Sequence, residues 1–382
     1  MPSPYNVNRI CNLFLTKTRA FCYSSDMKIG IIGLPQVGKK TLFEILLQEK
    51  LNISDNLKTD VIPGVVKVKD PRFDKLVSMY SPKNEVPATI DIALLPKIEK
   101  ETVSSGEVFV KIADVDALCH IVRSFKDESV YHVEGSINPI RDIDAVNSEL
   151  ILNDMIFIEK RLERIDKELS RKKDIVKEKD KEILSKLKVH LEKELPLRTM
   201  PLDKEENKLI STYQFISMKP IIIALNIGEE DVEDTSLLDS VKQKYEEHKI
   251  GVMQVSAKIE SEIASLPEEE QKEFLSELGI EEPAINALTR LFYKTLGLIS
   301  FFTVGKDEVR EWMIRKNSTA PEAAGAIHTD LQRGFIRAQV IKYNDLISLG
   351  TEAKVKEAGK CYLKGKDYVV EDGDIIDIRF NV

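Results

Sequence analysis

The sequence predicts a doubly wound, mostly parallel α/β fold of the P-loop type, with an inserted helical hairpin and a β-rich C-terminal module. Three observations carry this. A glycine-bounded loop, Gly33-Leu34-Pro35-Gln36-Val37-Gly38-Lys39-Lys40-Thr41, joins the apolar strand Ile29 to Ile32 to the helix-like run Leu42 to Leu47. Near-continuous apolar runs recur at Ala88 to Leu95, Ala117 to Val122 and Ile221 to Asn226, separated by helix-length segments, as in strands covered by helices on both faces. Finally, a Lys- and Glu-dense stretch from Leu150 to Leu195 carries apolar residues at helical spacing.

Glycines at both ends of the loop let backbone N–H groups curl around an anionic oxygen, the next helix aims its positive dipole end there, and Lys39 adds a cation. Gly33, Pro35, Gln36, Val37, Gly38, Lys39, Lys40 and Thr41 are therefore the expected phosphate cradle for ATP or GTP. One position breaks the pattern: the residue after the loop lysine normally supplies a hydroxyl to Mg²⁺, and here it is Lys40. Thr41 lies one helical residue on, rotated by about 100°, and cannot simply take over. Mg²⁺ is expected with an incomplete ligand set, and nucleotide binding and hydrolysis become separate questions.

Such a domain also needs an acidic residue near the metal and a base-reading loop at the carboxyl ends of later strands. Asp91, in Ala88-Thr89-Ile90-Asp91, is the candidate for the first role, and the family resemblance given below implies Thr59 as the first switch threonine. Asn226, Ile227 and Glu229 follow the strand from Ile221, and Ser256 and Ala257 follow Val252 to Val255. Guanine offers two N–H donors to a carboxylate, whereas adenine presents a ring acceptor at the same edge, so Glu229 in place of the usual Asp weakens guanine reading.

In the Lys/Glu stretch, Ile158, Leu162, Ile165 and Leu169, then Val176, Ile183, Leu187 and Leu191, mark a seam that Lys172 and Lys179 interrupt. A short antiparallel hairpin is expected, with its charges on a solvated face. From about Ile299 the chain turns β-rich: strands are expected at Ser300 to Val304, Gln339 to Ile341, Asp367 to Val370 and Ile375 to Phe380, with one main helix from Ala320 to Phe335. The resulting boundaries are 1–26, 27–149, 150–202, 203–298 and 299–382, the first segment being expected as a disordered tail or an upstream start ahead of Met27, with a targeting segment as the alternative.

With 382 residues, 42% hydrophobic and 31% charged, the composition is that of a globular protein, and no apolar stretch approaches the roughly 20 residues of a membrane span. A net charge of −8 argues against indiscriminate DNA binding but allows a local basic face for RNA. Cys11, Cys22, Cys119 and Cys361 show neither paired nor zinc-ligand spacing, which fits a reducing, cytoplasmic setting. Oligomeric state is not legible.

Order and spacing of further motifs resemble the YchF or Obg-like ATPase family. They include Asp70-Pro71-Arg72, Pro87-Ala88, Asp91-Ile92-Ala93, His120-Ile121-Val122-Arg123, His132-Val133-Glu134-Gly135 with Pro139, Asn226 with Glu229, Thr319-Ala320-Pro321-Glu322 and the terminal Phe380-Asn381-Val382. The resemblance spans Met27 to Val382 and implies a C-terminal TGS module of β-grasp type, ATP preferred over GTP, slow hydrolysis, and a ribosome or ribosomal-RNA partner in translation or stress regulation. It also implies that Leu95 stands where GTPases keep a water-orienting Gln, and that His132 serves the attacking water, with Lys39 stabilising transferred charge. Departures cluster on hydrolysis: Lys40, Leu94 in place of the switch Gly, and Lys97 to Gly106 in place of a glycine-rich switch. The alternative is a degenerate ribosome or RNA adaptor that binds nucleotide without turning it over.

Overall fold

A computed structural model describes residues 27–50 and 61–381; Thr59, Cys11, Cys22 and the segment before Met27 lie outside the described residues. Twelve described strands form two six-stranded sheets: β1 Lys28–Ile32, β2 Ile62–Lys67, β3 Asn84–Val86, β4 Thr89–Leu94, β5 Ala117–Arg123, β6 Ile221–Asn226, β7 Gly251–Val255, β8 Leu298–Thr303, β9 Glu308–Arg315, β10 Phe335–Lys342, β11 Cys361–Lys364 and β12 Asp374–Phe380. The first sheet runs β2-β4-β1-β5-β6-β7, the second β11-β10-β12-β8-β9-β3. By compactness the described chain divides into a unit of Lys28–Gly64 with Ile92–Leu288 and a unit of Val65–Asp91 with Thr289–Val382.

In the first unit β1, β5, β6 and β7 pair in parallel, with Ile32 opposite His120 and His120 opposite Ile223. Every residue of β5 and β6 is buried, which explains why these strands read as near-continuous apolar runs and not as alternations. Their side chains meet Val108, Ile112, Ile143 and Val146 from covering helices in one core. Two long helices, Pro139–Leu169 and Ile175–Leu191, make the hairpin, the first starting at Asn138, whose side chain accepts from the Arg141 N–H. Ile158, Ile165, Ile183, Leu187 and Leu191 fill its core, with Leu162 and Leu169 packed beside them. Val176 is 69% exposed and stands outside that seam, because Asp174 caps the second helix at Val176 and Lys177 and the packed face starts at Ile183.

The second unit has a mixed sheet: β10 pairs antiparallel with β11 and β12, β12 parallel with β8, β8 antiparallel with β9, and β9 parallel with β3. Helix Ala320–Ile327 packs its alanines on this sheet with Phe301, Trp312 and Ile376, the β-grasp arrangement. The helical run from Ala320 is broken at His328, an extended residue whose Nδ1 accepts the Asp330 N–H and so starts a second short helix, Thr329–Arg333. Asp367 to Val370 is not a strand; Tyr368 N–H closes a turn on Gly365 and Val370 N–H goes to Ser318. Asp70-Pro71-Arg72 has a structural job here: Asp70 caps helix Pro71–Tyr80, Pro71 opens it, and Arg72 pairs with Asp70 and Asp372. Glu311 is buried, accepts from Ser300 Oγ (2.5 Å) and Ala88 N–H (3.2 Å), and burial together with the Asp70 charge pushes its carboxyl up to about 7.

Candidate nucleotide site

The loop between β1 and helix Lys39–Leu47 takes its shape from backbone angles that side chains resist. Gly33, Gln36 and Gly38 have φ of 150°, 58° and 91°. At Gly33 a Cβ would meet Ile121 O at 2.5 Å, and at Gly38 it would meet Asn226 Nδ2 at 2.3 Å, so both positions need glycine for space as well as angle. Pro35 is half-buried, Gln36 exposed and Val37 buried. Gly38 stands directly before the helix, whose first-turn N–H groups have no intrahelical acceptor, and its carbonyl accepts the Leu42 N–H.

Lys39 is buried, and its Nζ donates to Gly33 O (2.9 Å) and Pro96 O (3.3 Å). Burial, reinforced by the like charge of Lys97, lowers its pKa to about 7 against the opposing pull of Glu99. Gly33 O also accepts the Ile98 N–H at 3.3 Å, which ties the segment after β4 to the loop. Where a mobile glycine-rich switch would lie, the chain instead forms helix Lys100–Ser105, with Thr102 Oγ1 bonded to Lys97 O and Ile98 in the core.

Asn226 ends β6 and joins two loops. Its Nδ2 donates to Val37 O at 3.0 Å and its Oδ1 accepts the Ala257 N–H at 3.0 Å. Ser256 caps helix Ala257–Ser265, and Ile227 is buried with its N–H on Val255 O. Glu229 is exposed and forms an ion pair with Lys258, which reaches across from the first turn of that helix. The residue spacing could have identified Lys258 only by its place directly after Ser256-Ala257.

Lys40 is exposed, with its ammonium 4.0 Å from Glu44, and Thr41 is exposed beside it. Asp91 is the third residue of β4 and half-buried. No group of three or more His, Cys, Asp or Glu able to hold a metal occurs among the described residues. The amide cradle, the left-handed Gln36 and the glycine at 38 fit a phosphate chain.

His132 is buried at the start of the hairpin, its Nε2 3.0 Å from Asp142 Oδ2 and its Nδ1 accepting the Glu134 N–H at 3.1 Å. That second bond places the ring proton on Nε2. Both nitrogens are thus engaged, so turning toward a water costs His132 its Asp142 partner. His120, mid-strand in β5, is the reverse: 1% exposed, with neither ring nitrogen bonded within the protein. Burial, then the Lys39 charge, lowers its pKa to about 3 and keeps it neutral. A polar residue in an otherwise apolar strand was its only signal in the sequence.

Sheet order, loop and clamp together define a P-loop nucleotide-binding protein. Residues 298–381 match the family model YchF-GTPase_C, described as "Protein of unknown function (DUF933)". The chain is 44% identical over 363 residues to the "Ribosome-binding ATPase YchF" of Bacillus subtilis (strain 168), covering 92% of this chain and 99% of that one. To "Obg-like ATPase 1" of Caenorhabditis elegans it is 36% identical over 367 residues, covering 94% and 93%. The solved structure of the Schizosaccharomyces pombe YchF GTPase superposes with a TM-score of 0.81 at 31% identity, over 93% of this chain and 98% of that one. The chain belongs to the YchF/Obg-like ATPase family.

Proposed function

We propose that the chain is an ATP-preferring P-loop nucleoside triphosphatase of slow turnover that works on the ribosome in the cytoplasm. The observation that carries the nucleotide part is Asn226, which braces the phosphate loop through Val37 and the base-side loop through Ala257, so one side chain sets both ends of a purine nucleotide site. In this reading Gly33, Gly38 and Thr41 position the phosphates, and Lys39 exchanges its two carbonyl partners for phosphate oxygens. Glu229, with Ile227 and Ser256, faces the base; Lys40 neutralises phosphate charge where a hydroxyl would have bound metal. Mg²⁺, when bound, would supply further charge neutralisation, and Asp91 would hold it. His132 serves the water after releasing Asp142. The ribosome part rests on the names of relatives that match over almost their whole length.

A second reading, nucleotide binding without turnover, is favoured by Lys40, by Leu94 and by the ordered helix Lys100–Ser105 in the switch position. Single-turnover and steady-state ATP hydrolysis beside ATP affinity, in the wild type and Lys39→Ala, separates the two. Turnover above the Lys39→Ala background supports the enzyme; ATP binding with turnover equal to that background assigns the chain to the adaptor.

A further inference from the structure

The hairpin carries its charges differently along the stem and at the tip. Along the stem, cross-helix ion pairs join Lys177 to Glu168 (2.9 Å), Lys181 to Asp166 (2.7 Å), Lys188 to Glu159 (2.8 Å) and Arg161 to Asp180 (3.2 Å). At the turn, Arg171, Lys172 and Lys173 are all exposed and none has a carboxylate within ion-pair distance among the described residues. The nearby anions are occupied: Glu168 by Lys177, and Asp174 by the N–H groups of Val176 and Lys177. Between residues 167 and 179 six basic side chains face three acidic ones, in a chain of net charge −8. Directly beside the cations, Ile175 and Val176 are 73% and 69% exposed. Solubility explains lysines on a helix, but not two adjacent β-branched side chains held in water as the first residues of the helix Ile175–Leu191, just past a helix of 31 residues that is about 46 Å long at 1.5 Å per residue.

We infer that this tip, Arg171 to Val176, is an RNA-docking surface: the three cations take phosphates of ribosomal RNA, and Ile175 and Val176 cover the sugar or base edges between them. The inference rests on the ribosome reading above and names the part of the chain that makes the contact. Charge decides the partner class, since three unpaired cations on a projecting turn match a polyanion.

Pelleting of the full chain through a sucrose cushion with ribosomes, and its binding to protein-free ribosomal RNA, tests this across a salt series. The triple variant Arg171→Glu/Lys172→Glu/Lys173→Glu is expected to lose about tenfold or more in ribosome and RNA affinity, and to flatten the log–log salt slope by about 2 to 3, one phosphate contact each. Its ATP affinity is expected to stay at the wild-type value. Ile175→Ser/Val176→Ser is expected to weaken binding severalfold without changing the slope. A triple variant that binds like the wild type overturns the tip assignment and leaves the ribosome reading standing. Loss confined to the Ile175/Val176 variant, with no binding to free RNA, assigns the tip to a protein partner and also overturns it. A wild type that fails to pellet refutes the ribosome reading itself, and the tip assignment with it.

Discussion

The carboxamide of Asn226 lies against the phosphate loop, with Nδ2 3.0 Å from the Val37 carbonyl and 2.3 Å from where a Cβ on Gly38 would stand. The contact is fully buried and is matched on the other side of the same amide by the Ala257 N–H. Removing that side chain strands one buried acceptor and one buried donor. Asn226→Ala should therefore cost about 2–4 kcal/mol, shared between folding stability and nucleotide affinity. Thermal melting with and without ATP measures both, and Asn226→Asp should lose affinity as well, since a carboxylate cannot donate to Val37 O.

Gly38→Ala tests the same contact from the loop side. A methyl group there meets the Asn226 amide and forces a left-handed φ of 91° on a residue that resists it. ATP affinity measured by calorimetry should fall by at least about tenfold, while the melting temperature drops only a few degrees, because the strain is local.

Binding should depend on pH through Lys39. Burial lowers its pKa to about 7, whereas a phosphate chain favours the ammonium form, so the free protein must take up a proton on binding at and above neutrality. Affinity is expected to be constant below pH 6 and to fall by up to about tenfold per unit between pH 7 and 9. Titration in buffers of different ionisation enthalpy should show proton uptake on ATP binding at pH 8 and none at pH 6. For stability the sign is opposite to that of an ion pair: the unfolded lysine holds its proton to a higher pH, so this residue's penalty is full below pH 7 and fades above it.

Sequence reading went furthest where a local pattern reports a local geometry. The glycines of the phosphate loop, the apolar β5 and β6, and the fold class were legible because loop spacing and burial on two faces leave direct marks on residue type. Elements decided by distant partners were not. The strand β9, Glu308–Arg315, mixes buried Trp312 and Ile314 with Glu311, and it is held by pairing with β8 and β3, which no alternation announces. The helix from Ala320 stops because the His328 ring competes for a backbone N–H, and Val176 leaves the hairpin seam because the Asp174 cap sets where packing begins. In the site, the residues around Asn226 were readable from spacing. The locks on Lys39 from Gly33 O and Pro96 O, and the Asp142 bond of His132, belong to the three-dimensional fold alone.

Lys40 makes a prediction about metal. With an ammonium where a hydroxyl would bind Mg²⁺, ATP affinity in the wild type should change by less than about threefold on adding EDTA, whereas Lys40→Ser should gain a metal requirement. Turnover in Lys40→Ser with Mg²⁺ should rise above the wild-type rate. Affinity measured with and without chelator, beside phosphate release, reads both effects.

Glu311 gives the C-terminal unit a pH signature. Its carboxyl is raised to about 7 from an ordinary value of 4.5, first by burial, so the folded form binds an extra proton between those values and stability declines as pH rises through that window. Glu311→Gln can turn its oxygen to the Ala88 N–H and its amide N–H to Ser300 Oγ, and it removes the charge. Melting curves should show the variant stabilised by a few degrees at pH 8 and unchanged at pH 5.

Calorimetric titration of the intact chain with ATP tests whether the loop holds a triphosphate. A saturable heat of binding is expected with and without Mg²⁺, abolished in Lys39→Ala and reduced in Asn226→Ala. A folded wild type that gives no binding heat for ATP or GTP under either condition would contradict it.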